Sequence, residues 1–563
     1  MKLKTYFNAA LLCLAAGLLA ACADDIMGDG NKDKQAQEEV KGVKFTTNEP
    51  KMRTMSRALV DDDGNVIEQT ATRTLIKHTP GLGADAYWDA DDYIFVKNKY
   101  NQWKKSIAIS LLDDGRSAEF TLPGAPDDYA EGCEVHYTIT PSILVDEADA
   151  AIIPFNQTQS APNDFSHAGR VGDSGIGTAH DNGNGMFNFE LQHLPHYLCF
   201  LPRCENASLA NNIRLTKIRL DNDNSDGTTE VVGATYLLDQ DPFNSVGIDT
   251  RYNAIELQST DGNGFPIAAT TADAAADACY MAILPGEHDL ILTYTIKDPT
   301  TNVEAKITKK VSGTFKSGEI TDITSNLSLR NQPMYYTWDS ENNVGDIQYD
   351  SSSPTTLSAT TATVYAFGFG DANVPGTTAH VDNTVSPTNP KRIDATHTYM
   401  NGVPNVNEMM WYAYKGDARW VNQGPVIAVS GNLVRTAGVW LKKKTKILAD
   451  EHITEAYMRD GFALGGGAYT DYRINPINGT APKVSVGTSL PANLDDYFFV
   501  PALGYYVHYG NNWYDFYNPE GYYWTSSATP TSPSGAYGLY FSQTGISIKE
   551  NYVYNPYCVL PFE

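Results

Sequence analysis

The feature that most narrows the possible folds is a succession of short alternating segments, each closed by turn residues, from about residue 42 to 330. Val43-Lys44-Phe45-Thr46 alternates apolar with polar, as does Tyr93-Ile94-Phe95-Val96 after an acidic turn, and Ile213–Leu220 is a longer case. Period-two patterning buries one face of a strand, whereas the 3.6-residue period of a long helix is missing from this region. Ile213–Leu220, the turn Asp221–Gly227 and Val231–Leu237 together predict a hairpin, and Ala282–Pro285 with Leu290–Ile296 add two further strands. Many short strands at regular spacing predict β-sandwiches. A change of pattern near Pro202–Asn206 divides them into two, residues 42–205 and 206–330.

The chain then changes character. Residues 331–394 form a linker and the start of a C-terminal domain, with 338–362 polar and rich in Ser and Thr. In residues 395–563 Asn405-Val406-Asn407-Glu408 precedes Met409–Tyr414, which predicts an Asn-capped short helix, and Asp450–Met458 predicts a second helix, with Ile453, Ala456 and Tyr457 on one face and Gly461 as its stop. Aromatic strands follow at 497–500, 504–507, 521–524 and 537–541. Two helices and several strands predict an α+β domain. The fold class expected is therefore mainly β: two β-sandwiches followed by an α+β domain.

The first residues carry an export signal. Met1-Lys2-Leu3-Lys4 is basic, Ala9–Leu19 is apolar but too short for a permanent span, and Leu19-Ala20-Ala21-Cys22 closes it. Small residues before a cysteine suit a lipoprotein signal peptidase. Residues 1–21 are thus expected to be removed and Cys22 to carry lipid. Residues 22–41 hold too few apolar groups to offset their ordering entropy and are expected to act as a tether. The two or three acyl chains of a mature lipoprotein suffice for stable anchoring.

Among 563 residues, Asp and Glu number 67 against 41 Lys and Arg, a formal charge of −26 that disfavours a nucleic-acid partner. After Cys13 and Cys22, only Cys133, Cys199, Cys204, Cys279 and Cys558 remain, too few for a disulfide scaffold and without a C-x-x-C pair for zinc. Asp61–Asn65, Asp221–Gly227 and Asp261–Gly264 are acidic, but a calcium loop needs Gly sixth and Glu twelfth, and counted from Asp221 the sixth residue is Asp226 while from Asn222 the twelfth is Gly233, so all three are turns first. His193 and His196 are separated by Pro195, which prevents the helix that would align them. No nucleophile elbow, phosphate loop or zinc-protease motif is present, so neither an enzyme, a cofactor nor a metal is expected.

Tyr is frequent, at 34 residues, and concentrated toward the end of the sequence. Trp513, Asp515, Asn518 and Glu520, with Trp524 nearby, mix rings with carboxylates and an amide. Rings stack on the apolar face of a sugar while the polar groups bond its hydroxyls, so these five are candidate ligand residues; a tyrosine-rich core is the competing reading.

Two family resemblances rest on these segments. Thr72-Arg73-Thr74, Trp88–Val96, Ala161–His167 and Tyr197–Pro202, together with the lipobox, resemble Bacteroidales fimbrillin-like lipoproteins. Asp24-Asp25 resembles their outer-membrane export signal. The resemblance implies transthyretin-like sandwiches, a surface (type V) pilus, other fimbrial subunits as partners, and cleavage after an arginine that releases the first strand. Val43–Thr46 would be that strand, and Arg57, Arg53 and Arg73 the candidate processing sites. Pro404–Trp411, Gly521–Ser527 and Ala536–Phe541 resemble the major paralogous domains of Fibrobacter-type surface proteins, which are similar to C-type lectins. Asn518-Pro519-Glu520 reverses the calcium-binding order of true C-type lectins. The implied function is a fimbrial subunit, at the fibre's tip because Pro556 and Pro561 bracket a closing strand at Tyr557–Leu560, with a glycan or protein ligand for residues 395–563; the alternative is a non-polymerising, glycan-binding outer-membrane lipoprotein.

Overall fold

A computed structural model describes residues 41–47, most of 75–138, 148–238 except 224–229, most of 251–329 and most of 395–563, with short strand segments between them. By its contacts the chain divides into Met1–Gly42 and Val43–Glu563, and all the described sheets lie in the latter. The fold is mainly β and sandwich-like, as the alternation predicts.

The first sheet has eight strands, in the order Trp103–Lys105, Phe95–Lys97, Cys133–Thr138, Ser174–Asp181, Met186–His193, Val43–Thr47, Ser117–Leu122 and Ala108–Leu112. Its apolar side chains share one core, with Phe45, Trp88, Ile94, Phe120, Val135 and Phe189 at its centre. The expected strand at 93–96 begins two residues later, at Phe95, although Ile94 is fully buried.

A five-stranded sheet follows, ordered Asn156–Gln159, Ala254–Ser259, Arg214–Asn222, Gly286–Asp298 and Val303–Phe315. It shares a core with the sheet built on His196–Cys204, which pairs with Glu319–Asn326 and Cys279–Ile283. The chain leaves the eight-stranded sheet at His193 and enters the next sheet at His196, so the sheets change at Leu194–Pro195 and not at residue 205. Residues 156–159 lie in the second set of sheets although they precede that point.

His196–Cys204 reads as a nearly unbroken apolar run because both of its faces are covered. Leu198 and Phe200 point into the sandwich core, while Tyr197, Cys199 and Leu201 pack on the other side with Ile76, Phe165 and Tyr280. The cover on that side includes the hairpin Leu75–Thr79/Gly83–Tyr87.

The expected hairpin of 213–220 with 231–237 does not form. Arg214–Asn222 pairs with Ala254–Ser259 and Gly286–Asp298, whereas Gly233–Leu237 pairs with Ala150–Ile152 and Arg251–Tyr252 in a separate sheet. Alternation fixes which face of a strand is buried but not which strand lies beside it. The same segment contains a phase slip, with Leu215 odd and Ile218 and Leu220 even. The structure absorbs it in a β-bulge between Leu215 and Lys217 that turns all three side chains inward.

In the C-terminal region the helix Val406–Lys415 begins with a reciprocal cap. Asn405 Oδ1 accepts from the Glu408 amide at 2.9 Å, and Glu408 Oε2 accepts from the Asn405 amide at 3.0 Å. The single helix expected at 450–458 is instead two, Lys444–Glu451 and Glu455–Asp460. His452 breaks them by adopting a left-handed conformation (φ 54°), and Thr454 caps the second; Tyr457 is exposed rather than on a buried face. These helices flank a sheet ordered Met334–Tyr336, Tyr557–Val559, Gly521–Ala528, Gly535–Ser542 and Gly545–Tyr552, and a second of Arg419–Val421, Gly438–Lys442 and Tyr497–Pro501. The hairpin Val426–Val429/Asn432–Arg435 joins this region to the sandwich: Leu433 lies in the sandwich core and its amide donates to Asp298 Oδ2 at 2.9 Å.

Candidate functional site

Two places combine position and chemistry suited to recognition. The first is the bed of the strand Val43–Thr47. It runs antiparallel to Ser117–Leu122 and parallel to Met186–His193, so it is an internal strand contributed by the start of the described chain. Val43 and Phe45 are essentially unexposed. The Phe45 ring stacks on Phe187 with centroids 4.8 Å apart and meets Tyr129 edge-on at 5.2 Å. On the outer face Lys44 Nζ lies 3.0 Å from Glu119 Oε1 and donates to Thr121 Oγ1 at 3.1 Å; on the buried face Thr47 Oγ1 accepts from the Ala118 amide at 2.9 Å. Withdrawing this strand would leave a slot lined by Phe120, Phe187 and Leu122 and bordered by two strand edges with unpaired backbone groups. Arg53, Arg57 and Arg73 lie outside the described residues. Between them, the backbone of Ala58–Val60 runs parallel to Glu319–Asn326, and Thr70–Ala71 runs antiparallel to the same strand.

The second place is an aromatic patch near the C-terminus. Of the five ligand candidates, Trp513 and Asp515 lie on a strand, Asn512–Asp515, paired with Tyr506–Tyr509, and Asn518 lies outside the described residues. Glu520 is partly exposed and accepts from Tyr522 Oη and Tyr540 Oη, each at 2.7 Å. Burial, then the bond to Glu520, holds both phenols above their ordinary range. Lys549 Nζ sits 3.4 Å from the centre of the Tyr540 ring, and its pKa is lowered by burial. Tyr505 packs on Tyr522 at 4.4 Å. Trp524 must be corrected: it is fully buried, its indole N–H donates to Tyr336 O at 2.8 Å, and Tyr557 covers its ring at 4.6 Å, so it presents no face to a ligand. Tyr522 and Tyr540, which the sequence reading passed over, are the rings that share Glu520.

The histidines considered for a metal are structural. His193 Nδ1 meets Asp173 Oδ1 at 2.7 Å, and His196 meets Lys316 O and Thr321 Oγ1, each at 2.9 Å. Burial drives the His196 pKa down to about 3. A different set does come together: His78, Cys199 and Asp322. Intervals of more than a hundred residues hid it from any spacing rule. Among the described cysteines no disulfide is formed; four are buried and Cys133 is half-buried.

No family model matches the chain, and no curated protein matches it. Solved structures similar to it include a candidate cell adhesion protein from Bacteroides uniformis, 13% identical, covering 49% of this chain and 94% of that one at a TM-score of 0.27. A candidate cell adhesion protein from Bacteroides eggerthii is 10% identical, covering 51% and 86% at 0.24. A fimbrial protein from Bacteroides ovatus is 10% identical, covering 90% and 98% at 0.20.

Proposed function

We propose that the chain is a subunit of a surface fimbria, held at first to the outer membrane by lipid on Cys22 and assembled by donor-strand exchange. Residues 395–563, read as a C-type-lectin-like domain, would carry recognition of a glycan or protein ligand. The observation that carries the reading is the internal seat of Val43–Thr47. An N-terminal strand inserted between two others, followed by three arginines at 53, 57 and 73, can be cut free and replaced by a neighbour's strand without reordering the rest of the sheet. Placement at the fibre's end is favoured by Tyr557–Val559, which pairs on both sides within its own sheet and is buried, making it a poor donor. In the patch, the carboxylate between Tyr522 and Tyr540 is an arrangement that stacks and hydrogen-bonds a sugar.

The test is to cut the full chain with an arginine-specific protease and add a synthetic Gly42–Asn48 peptide. Mass spectrometry should find the new N-terminus after Arg53, Arg57 or Arg73. The freed groove should rebind the peptide, while the cut chain alone, with no strand to donate, should not polymerise. A cut chain that ignores the peptide overturns the reading.

A further inference from the structure

The outer side of the His196–Cys204 sheet holds an arrangement that strand exchange does not use. Cys199 stands opposite Asp322 across the parallel pairing with Glu319–Asn326, and opposite Tyr280 across the antiparallel pairing with Cys279–Ile283. His78, from the hairpin Leu75–Thr79/Gly83–Tyr87, closes over them. Its Nε2 lies 2.6 Å from Asp322 Oδ1, and the amide of Gly81, in the turn of the same hairpin, donates to Asp322 Oδ2 at 2.9 Å. The Tyr280 ring meets the imidazole edge-on at 6.0 Å and is itself fixed by its hydroxyl, which donates to Asn163 Oδ1 at 2.6 Å. One nitrogen, one sulfur and one carboxylate oxygen therefore lie within 4.8 Å of one another, all buried.

We propose that His78, Cys199 and Asp322 form a structural site for a divalent transition-metal ion, zinc by chemistry, which clamps the 75–87 hairpin onto the sandwich. Mixed nitrogen, sulfur and oxygen donors suit zinc, whereas calcium and magnesium take oxygen. Bonds of about 2.0–2.3 Å at tetrahedral angles set ligand atoms roughly 3.3–3.8 Å apart. The three ligand atoms lie within 4.8 Å of one another, and a zinc ion would open the 2.6 Å His78–Asp322 contact by about 1 Å. The second carboxylate oxygen, bonded to the Gly81 amide, supplies the outer-shell restraint that orients a metal ligand. His78 comes five residues after Arg73, so the clamp would hold the chain in place just beyond the last candidate cut. The proposal does not depend on the fimbrial reading.

The experiment uses the full chain purified from zinc-supplemented medium and, separately, from cobalt-supplemented medium. After dialysis against a weak chelator, about one zinc per chain should remain, and the cobalt form should show thiolate-to-cobalt charge-transfer absorption in the near ultraviolet. Cys199→Ser should abolish that absorption and His78→Ala the retained zinc. Cys279→Ser, equally buried but facing the sandwich core, should keep both. No retained metal in the parent chain, or metal unchanged in Cys199→Ser and His78→Ala, overturns the site. If those variants do not fold, the parent's cobalt spectrum decides alone, because ions held adventitiously on surface carboxylates give no thiolate band.

Discussion

Phe45→Ala is the sharpest probe of the N-terminal strand. The side chain is wholly buried, flat against Phe187 and edge-on to Tyr129, and directly opposite Phe120 in the register. Truncating a buried Phe typically costs about 3–5 kcal/mol, the sum of lost transfer energy and the cavity left behind. The three neighbouring rings are themselves fixed in the core, so the site has little scope to collapse, which points to the upper part of that range. Denaturant unfolding of the uncut chain should show this loss in the transition that reports the first sheet. Once the chain is cut, the same difference acts on strand release. At 1.4 kcal/mol per decade, the released fraction should rise by about two to four orders of magnitude. Lys44→Ala is the control. Its side chain lies on the outer face, in a partly exposed pair with Glu119, and should cost within about 1 kcal/mol. If Phe45→Ala and Lys44→Ala lose the same small amount, the strand is not anchored by its apolar face and the account of the groove fails.

Three further predictions follow from particular contacts. Burial pushes the Asp277 carboxyl up to about 7; because this lies above its ordinary 3.8, the folded state favours the proton, and stability present below about pH 4 is lost as pH rises through about 7. Asp277→Asn should therefore melt increasingly above the parent between pH 4 and 8, and a gap independent of pH would contradict this. Trp524→Phe leaves the Tyr336 carbonyl without its donor, a loss of about 1–3 kcal/mol by thermal melting; Tyr522→Phe should leave stability nearly unchanged but weaken any glycan found by array screening, and the opposite pattern would return Trp524 to the ligand set. Asn405→Ala should cost about 1–2 kcal/mol, since the side chain both caps the helix and donates to Arg459 O at 3.0 Å; an unchanged unfolding midpoint would count against the cap.

Local patterns in this chain were legible where one segment determines its own structure. The buried face of Val43–Thr47, an Asn cap on the helix near Met409–Tyr414 and the aromatic strands all follow from short-range chemistry. What escaped depended on partners far away. Nothing between Ile213 and Leu237 reveals that the second strand leaves for another sheet, and nothing at His452 announces a left-handed residue. Trp524 shows the same difficulty at the candidate site. It lies two residues after Tyr522, on the same side of its strand, yet Tyr522 is half exposed while Trp524 is covered by Trp338, Met400 and Val403. Residues that cover a ring from more than a hundred positions away cannot be read from the ring's neighbours.

The seat of Val43–Thr47 also specifies what could replace it. On one side it is bordered by Ser117–Leu122, whose other edge is held by Ala108–Leu112; on the other by Met186–His193, held by Ser174–Asp181. Each border strand keeps a permanent partner, so the slot survives withdrawal as two supported edges instead of one frayed sheet. An incoming strand must run parallel to Met186–His193 and antiparallel to Ser117–Leu122 to meet both ladders. It must place apolar side chains two residues apart, where Val43 faces Leu122 and Phe45 faces Phe120 and Phe187. Between them it must carry a residue tolerant of Glu119 and Thr121, for which a lysine or a hydroxyl serves and a carboxylate does not. Shifting such a strand by one residue would turn its polar positions into the core and its apolar ones onto Glu119. Under the proposed strand exchange the groove would select register as well as composition, and a donor would need to match only that short pattern.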